Sequence, residues 1–200
     1  MKSDIKNIMT IDLEEWYHAN YHDGFFDETD KYEVRIVKNT EKILDLFDKY
    51  DIKATFFVLG MEAEKFPELI KKISDKGHDM AVHGYTHDVL YDMSPDDFRK
   101  NILKAKGIVE NITGKKVIGF RAPSWSINES NMILLNELKE MGFLYDSSVF
   151  PVKNMLYGMP NAKRFIHKPV VKNNELDIYE IPMTTLRVFG VNIPFSGGFY

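Results

Sequence analysis

Residues 77–87 of this 200-residue chain read Gly-His-Asp-Met-Ala-Val-His-Gly-Tyr-Thr-His. The apolar run predicts a buried strand over 79–83, and the residues after it place His83 and His87 four positions apart. If the end of the strand turns into a helix, both imidazoles can reach one point, which is the spacing of metal ligands. A purely structural pair of histidines has the same spacing. A metal site therefore needs a further ligand, a base and a polar framework from elsewhere in the chain.

Segments with strand character alternate with amphipathic segments of helical length. The predicted strands are 7–12, 53–59, 79–83, 117–121 and 143–146, with two more short ones over 176–182 and 185–189 after an irregular segment, 147–174. The predicted helices are 33–50, 61–76, 95–113 with Ser94 as N-cap, and a helix capped by Asn128 that ends before Gly142. Repeated strand–helix units favour an α/β fold with a mostly parallel sheet, open or closed into a barrel.

Polar residues stand at the predicted carboxyl ends of four strands, where the working residues of parallel sheets gather. These residues are Asp12, His83, Arg121 and Asp146. Asp12 and Glu14 are two positions apart, so in extended backbone they point to the same side while Glu15 points away. One carboxylate can complete a site of two histidines and one carboxylate, which leaves the other as a base. For Glu15 a solvated turn is the preferred interpretation.

The segment Arg121-Ala122-Pro123-Ser124-Trp125 is a second polar and aromatic constellation. An arginine that leaves a strand ahead of a turn fixed by Pro123 can clamp a carboxylate with two hydrogen bonds, and Trp125 can form the wall of a substrate groove. A surface ion pair and a core tryptophan are the alternative. Asp146 is the predicted structural partner of Arg121.

Composition excludes several classes of protein. Hydrophobic residues make up 44% and charged residues 28% of the chain, which is ordinary for one globular domain, so residues 1–200 are interpreted as a single domain. The formal charge is −4 and no cluster of five Lys or Arg appears, so a nucleic-acid partner is not expected. Cysteine is absent, and no apolar run has the length of a signal peptide or a membrane span, which predicts a cytoplasmic location.

The order of four motifs resembles a known family. TIDLEEW (10–16), HGYTH (83–87), FRAPSW (120–125) and YDSSVFP (145–151) follow one another as in the polysaccharide deacetylase (NodB-homology) superfamily, carbohydrate esterase family four. The likeness covers about residues 8–151 and continues loosely to Tyr200. It is closest to the exopolysaccharide and peptidoglycan deacetylase branch, whose first motif is Asp-x-Glu/Asp.

This resemblance implies a distorted (β/α) barrel with fewer than eight strands and a divalent metal, most often zinc, although His and carboxylate ligands also suit cobalt, nickel or iron. By the same resemblance, Asp12 is the general base and Glu14, His83 and His87 are the metal ligands. The commoner first motif takes its ligand from a neighbouring position, so Glu15 stays open as the alternative carboxylate.

The other site residues are also carried over by resemblance. Arg121 would orient the base, Asp146 would be the partner of that arginine, and Trp125, Pro123 and Tyr85 would contact the substrate. A metal held in this way lowers the pKa of water from about 16 toward roughly 7. The expected reaction is hydrolysis of acetamido groups in an N-acetylated oligo- or polysaccharide, such as an exopolysaccharide, peptidoglycan or chitin-like polymer.

The chain departs from the family pattern at its end. The family's acid is a histidine in a Leu-x-His motif, and no such motif follows Leu186; His18 and His22 are weaker candidates and His167 does not match. A chain that ends at Tyr200 also lacks the last helix and strand of the barrel, which suggests truncation at the C-terminus. A related non-peptide amide hydrolase, or an impaired carbohydrate-binding domain, is therefore kept as an alternative.

Overall fold

The computed structural model describes residues 7–18, 31–91, 93–154 and 157–195. Six strands form the main sheet: β1 (Met9–Leu13), β2 (Ala54–Val58), β3 (Asp79–Val82), β4 (Gly119–Phe120), β5 (Tyr145–Asp146) and β8 (Tyr179–Glu180). Two small hairpins are made by β6 (Val170–Val171) with β7 (Asn174–Glu175) and by β9 (Thr185–Val188) with β10 (Val191–Pro194). The helices are α1 (Ile36–Tyr50), α2 (Gly60–Lys65), α3 (Pro67–Asp75), α4 (Pro95–Thr113) and α5 (Leu134–Glu140).

All pairs in the main sheet are parallel, and the strands stand in the order in which they occur along the chain. A doubly wound sheet would reverse its order at a switch point, whereas a (β/α) barrel winds in one direction. The sheet also curls, since Arg121 after β4 reaches across to hydrogen-bond Thr10 and Asp12 on β1, although two strands, β2 and β3, lie between β1 and β4 in the sheet order. The predicted α/β fold of barrel type is confirmed.

The core lies between the sheet and the helices packed on it. Phe56, Val82, Phe98 and Phe120 are fully buried members of one cluster that joins the strands to the amphipathic faces of the helices. At about 25 cal/mol per Å² of apolar surface, burying a side chain of this size contributes about 1.5–3 kcal/mol. The carboxyl ends of the strands, which carry the candidate site, are therefore anchored in a well-packed layer.

The helix ends follow local chemistry. Ser94 Oγ accepts a hydrogen bond from the Asp97 amide at the start of α4, and Gly114 ends that helix with φ +68°. The predicted helix over 61–76 is instead two helices, α2 and α3, because Pro67 has no amide hydrogen for the helix bond that would cross this position. Asn128 accepts a hydrogen bond from the Ser130 amide, which caps a turn, and α5 begins only at Leu134.

The C-terminal segment contains more strand than predicted. The irregular segment 147–174 includes β6, and the hairpin of β9 and β10 continues past the predicted strand 185–189. Within the described residues, no helix is long and apolar enough to cross a membrane. The first six residues and residues 196–200 lie outside the described residues.

Candidate metal centre

Glu14, His83 and His87 converge at the carboxyl ends of β1 and β3. Their ligand atoms all lie within 4.8 Å of one another. Oε2 of Glu14 is 3.0 Å from Nε2 of His87 and 3.9 Å from Nε2 of His83. The ends of β1 and β3, which lie on either side of β2, and the turn after His83 therefore bring together residues about seventy positions apart in the sequence.

His83 is prepared for metal binding by its surroundings. Its ring is buried, and Nδ1 lies 2.8 Å from the carbonyl oxygen of Arg121. Since a carbonyl only accepts, Nδ1 carries the hydrogen and Nε2 keeps its lone pair toward Glu14. Burial lowers the pKa of His83 below its ordinary value, although Asp12 and Glu14 act in the opposite direction. The imidazole is thus neutral, which is the form that binds a metal.

The donor set fits a divalent ion such as zinc. Oε2 of Glu14 is buried and has no hydrogen bond of good geometry among the described residues, although His87 Nε2 is close. Burial raises the pKa of Glu14, but the contact with His87 and the two imidazoles outweigh burial and hold the pKa below its ordinary value. In a tetrahedral zinc site with bonds of about 2.0–2.1 Å, neighbouring ligand atoms are about 3.3 Å apart. The distances from Glu14 to the two histidines bracket that value.

Glu15 has a different task. Its Oε1 accepts hydrogen bonds from the amides of Arg35 and Ile36 at 2.6 and 2.7 Å. These amides start α1, whose own N-cap residue makes no side-chain bond, so Glu15 caps that helix across the loop. The interpretation of Glu15 as a solvated turn residue is wrong, because its side chain is buried. Of the two carboxylates considered as metal ligands, Glu14 and Glu15, it is Glu14 that faces the histidines.

Asp12 lies beside this cluster and is held by a charged hydrogen bond from Arg121. Nη1 of Arg121 donates to Oδ1 of Asp12 at 2.7 Å, and the guanidinium lies 4.0 Å from the ring centroid of Phe57. Burial raises the pKa of Asp12, but the charge and hydrogen bond of Arg121 prevail, so the pKa lies below its ordinary value. The carboxylate is therefore ionised and fixed in orientation, as a general base requires.

Arg121 is positioned by Ser147 instead of Asp146. Its Nε donates to the Ser147 carbonyl at 3.2 Å and its Nη2 to the Ser147 hydroxyl at 2.9 Å. That hydroxyl in turn donates to the carbonyl of Ile181 at 2.8 Å. The prediction of a direct Arg121–Asp146 pair is thus corrected: the strand ends at Asp146, and the next residue reaches the guanidinium.

Asp146 belongs to a buried carboxyl pair with Glu180. The two residues are paired in register on β5 and β8, and both are fully buried. Asp146 accepts from the Ser148 amide at 3.1 Å and hydroxyl at 2.6 Å, and Ser148 Oγ accepts from the Ala122 amide at 2.8 Å. The pair therefore supports the turn that carries both Ser147 and Ser148.

Burial raises the pKa of both carboxyls, and the pKa of Glu180 lies well above its ordinary value, so Glu180 is the favoured site for a proton in this pair. Burial raises the pKa of Glu180 well above its ordinary value, and the charge of Asp146 raises it further. Its Oε1 accepts from the Val149 amide at 3.1 Å, whereas Oε2 is buried without a protein donor. A proton on Oε2 removes the second buried charge and provides a hydrogen bond to Asp146. Nothing in the local sequence around Glu180 signals this role, because its partner comes from another strand.

A cavity of about 600 Å³ opens over these residues and is lined by Asp12, Glu14, His83, His87 and Trp125 among others. Trp125 packs edge-on against Phe150 at 5.3 Å and next to Tyr157 at 5.3 Å between ring centroids. Ser124 and Trp125 both have positive φ, of 50° and 47°. Two such residues in succession are strained, so the fold holds this aromatic wall in place at an energetic cost.

Two predicted substrate contacts lie elsewhere. Tyr85 does not line the cavity: its hydroxyl donates to Glu64 at 2.7 Å and the Lys104 ammonium lies 3.3 Å from its ring centroid. Its ring points outward from the turn between the two histidines, toward α2 and α4. Pro123 is buried in the same turn as Ser124 and Trp125, and it too is absent from the lining.

The histidines considered as proton donors do not line the described part of the cavity. His18 accepts from the Glu15 amide through Nδ1 at 3.2 Å, and its Nε2 lies 3.6 Å from Glu62. His167 bridges to Glu180 through its backbone at the far edge of β8. His22 lies outside the described residues.

Two family models and a known protein are similar to parts of this chain. A family model described as polysaccharide deacetylase matches residues 25–145, and one described as a domain of unknown function (DUF3473) matches residues 147–200. A peptidoglycan deacetylase of Helicobacter pylori is 32% identical over 154 residues, which are 70% of this chain and 51% of that protein.

Two solved structures are similar over most of the chain. A structure from Mycobacterium smegmatis described as a polysaccharide deacetylase has a TM-score of 0.66 and 26% identity, covering 95% of this chain and 64% of the other. The PuuE allantoinase has a TM-score of 0.58 and 25% identity, covering 72% and 43%. The chain spans about half the length of the Helicobacter relative, 51%.

Proposed function

The chain belongs to the polysaccharide deacetylase family, and we propose that its site hydrolyses acetamido groups of an N-acetylated polysaccharide with the help of a divalent metal. One observation carries the proposal: Glu14, His83 and His87 face one point in the same cavity in which Arg121 orients Asp12. A carbohydrate groove is further supported by Trp125, whose ring forms part of the wall.

The metal would be held by Nε2 of both histidines and by the Glu14 carboxylate. When bound, a divalent ion supplies Lewis-acid chemistry for water and for the acetamide carbonyl. Among these ligands, the neutral His83 imidazole offers a lone pair and the ionised Glu14 carboxylate offers a negative charge to the metal. Zinc is the preferred ion on the basis of this nitrogen-rich donor set, and cobalt, nickel and iron are the alternatives.

Asp12 performs the proton transfers in this proposal. It takes a proton from the water that attacks the acetamide carbon, and a new C–O bond forms. As the C–N bond breaks, the departing nitrogen takes that proton from Asp12, and the acetic acid formed then passes the second proton of the water to the amine, so the products are acetate and a protonated amino sugar. Arg121 keeps the Asp12 carboxylate aimed at the cavity and favours its ionised form, which is the form that accepts the first proton and is restored after the second transfer.

We also propose that the two family matches form one structural unit within residues 1–200. The second match supplies β8 to the sheet, and its Glu180 is paired in register with Asp146 of the YDSS motif. The location of the protein in the cytoplasm stays a prediction from the sequence.

The proposal is tested by acetate release from N-acetylglucosamine oligomers with zinc added. Asp12→Asn should lower kcat by about 10²–10⁴, the usual contribution of a general base. Exposed Asp45→Asn on α1 is the matched control and should keep the wild-type rate. Wild-type turnover that survives in Asp12→Asn would refute the assignment of the base.

A second candidate is hydrolysis of a small cyclic amide, which the likeness to the allantoinase favours. The same ligands and base would serve, so the substrate alone distinguishes the two activities. Ring opening of a cyclic amide without acetate release would replace the first proposal. Sugar binding with a stoichiometric metal and no turnover of either substrate would indicate a carbohydrate-binding domain.

A further inference from the structure

A second cavity, about 840 Å³ in volume, lies in the C-terminal segment that the family model leaves without a function. Its lining includes Lys153, Lys163, Arg164 and Arg187, together with His167, and it contains no Asp or Glu. The whole chain has more acidic than basic residues, 30 against 26, so the positive charge of this surface is opposite in sign to the net charge of the chain. We call it the cationic cavity.

The cations of this cavity are available to a ligand. Within the described ranges, none of the four Lys and Arg residues forms an ion pair with a carboxylate. Arg164 is held by neutral acceptors, since it donates to the hydroxyl and the carbonyl of Thr185 at 2.9 and 2.5 Å. The side chains of Lys153, Lys163 and Arg187 are exposed. Like charges that share a cavity raise its affinity for anions.

The cationic cavity shares a wall with the candidate metal centre. Lys153 lines the cationic cavity, and its neighbour Asn154 lines the cavity over the metal ligands. Consecutive Cα atoms are only about 3.8 Å apart, so the linings of the two cavities meet at the 153–154 peptide. The wall is braced, because Asn192 donates to the Pro151 carbonyl at 2.8 Å and the rings of Phe150 and Tyr157 stack at 5.8 Å.

The cavity is also suited to a sugar. Phe165 lines it with a ring that is 77% exposed, and the Arg164 guanidinium lies 5.6 Å from the centroid of that ring. An exposed aromatic face beside cations matches a ligand with apolar ring faces and negative substituents. A duplex nucleic acid fits less well, because the cations lie inside a concave cavity and not along a ridge.

We propose that the cationic cavity binds carboxylate groups of the polymer whose acetamido group reaches the metal centre. The substrate is then an acidic polysaccharide that carries carboxylate groups as well as N-acetylated sugars. This inference rests on the proposed deacetylase function and adds the charge of the substrate to it.

Binding is measured by calorimetry on the full chain in the Asp12→Asn background, which prevents turnover. The probe is a hyaluronan oligosaccharide, in which N-acetylglucosamine alternates with glucuronate, and the reference is a neutral chitin oligosaccharide of equal length. Lys163→Glu with Arg187→Glu should weaken hyaluronan binding about tenfold or more, because two attractive contacts become repulsive. Chitin binding should change less than twofold. Raising the salt concentration should weaken only hyaluronan binding.

The matched control is Lys42→Glu with Lys100→Glu, which changes the net charge equally on exposed helix positions outside both cavities. Equal weakening in the control, or equal binding of single-stranded DNA, would mean general attraction of polyanions and would overturn the proposal. Binding of chitin alone in the Asp12→Asn background, together with acetate release by the wild-type chain, would overturn this inference and leave the deacetylase function standing. Absence of acetate release by the wild-type chain from every oligomer would instead overturn the deacetylase function.

Discussion

The buried pair of Asp146 and Glu180 makes the stability of the fold depend on pH in an unusual direction. Burial and the charge of Asp146 raise the pKa of Glu180 well above its ordinary value of 4.5. The folded state therefore keeps a proton that the unfolded chain has already released. Stability is fully present below pH 4.5 and falls as the pH rises toward the pKa of the folded state. Most buried carboxylates that form ion pairs behave in the opposite way.

Glu180→Gln removes the contribution of Glu180 and leaves that of Asp146, whose pKa burial also raises. The amide is neutral at all pH values, and it can still accept from the Val149 amide and donate to Asp146, as the protonated acid does. In the window above pH 4.5 the wild-type protein loses up to about 1.4 kcal/mol for each pH unit, relative to the variant. Between pH 5 and 7 the difference in the free energy of unfolding should therefore grow by up to about 2.7 kcal/mol.

The measurement is urea unfolding at several pH values. Exposed Glu175→Gln on β7 serves as the control for the loss of one carboxylate. Parallel pH profiles for wild type and Glu180→Gln would refute the assignment of the proton to Glu180. A profile that flattens in Asp146→Asn, and not in Glu180→Gln, would place the proton on Asp146.

Three further outcomes follow from the site. Zinc at about 100 times its Kd should raise the free energy of unfolding of the wild type by about 2.7 kcal/mol. Calorimetry should show that this stabilisation is lost in His83→Ala and retained in the distant His167→Ala. Glu15→Ala should cost about 1–2 kcal/mol in urea unfolding yet keep the metal, whereas Glu14→Gln should lose the metal at little cost in stability. Arg121→Lys should lower the free energy of unfolding by about 1–3 kcal/mol and reduce acetate release, because lysine cannot replace the hydrogen bonds of the guanidinium. An unchanged kcat would contradict the role of Arg121 in positioning the base.

The sequence by itself determined the features that depend on short spacing. The alternation of strands and helices gave the fold class, and the four positions between His83 and His87 gave the pair of imidazoles. The ends of α4 could also be predicted from the local sequence, because Ser94 and Gly114 cap the helix through the backbone of nearby residues. These features depend on periodicity and on side chains within a turn of one another, which a linear sequence displays directly.

Only the tertiary structure decided which polar groups meet. Glu14 and Glu15 are adjacent, yet one faces the histidines and the other caps α1 more than twenty residues away. Likewise Ser147, and not Asp146, holds Arg121, and Asp146 meets Glu180 because β5 and β8 pair in register. Each of these contacts depends on the direction of a side chain and on strand order. Both are set by how the sheet curls, which no local pattern in the sequence records.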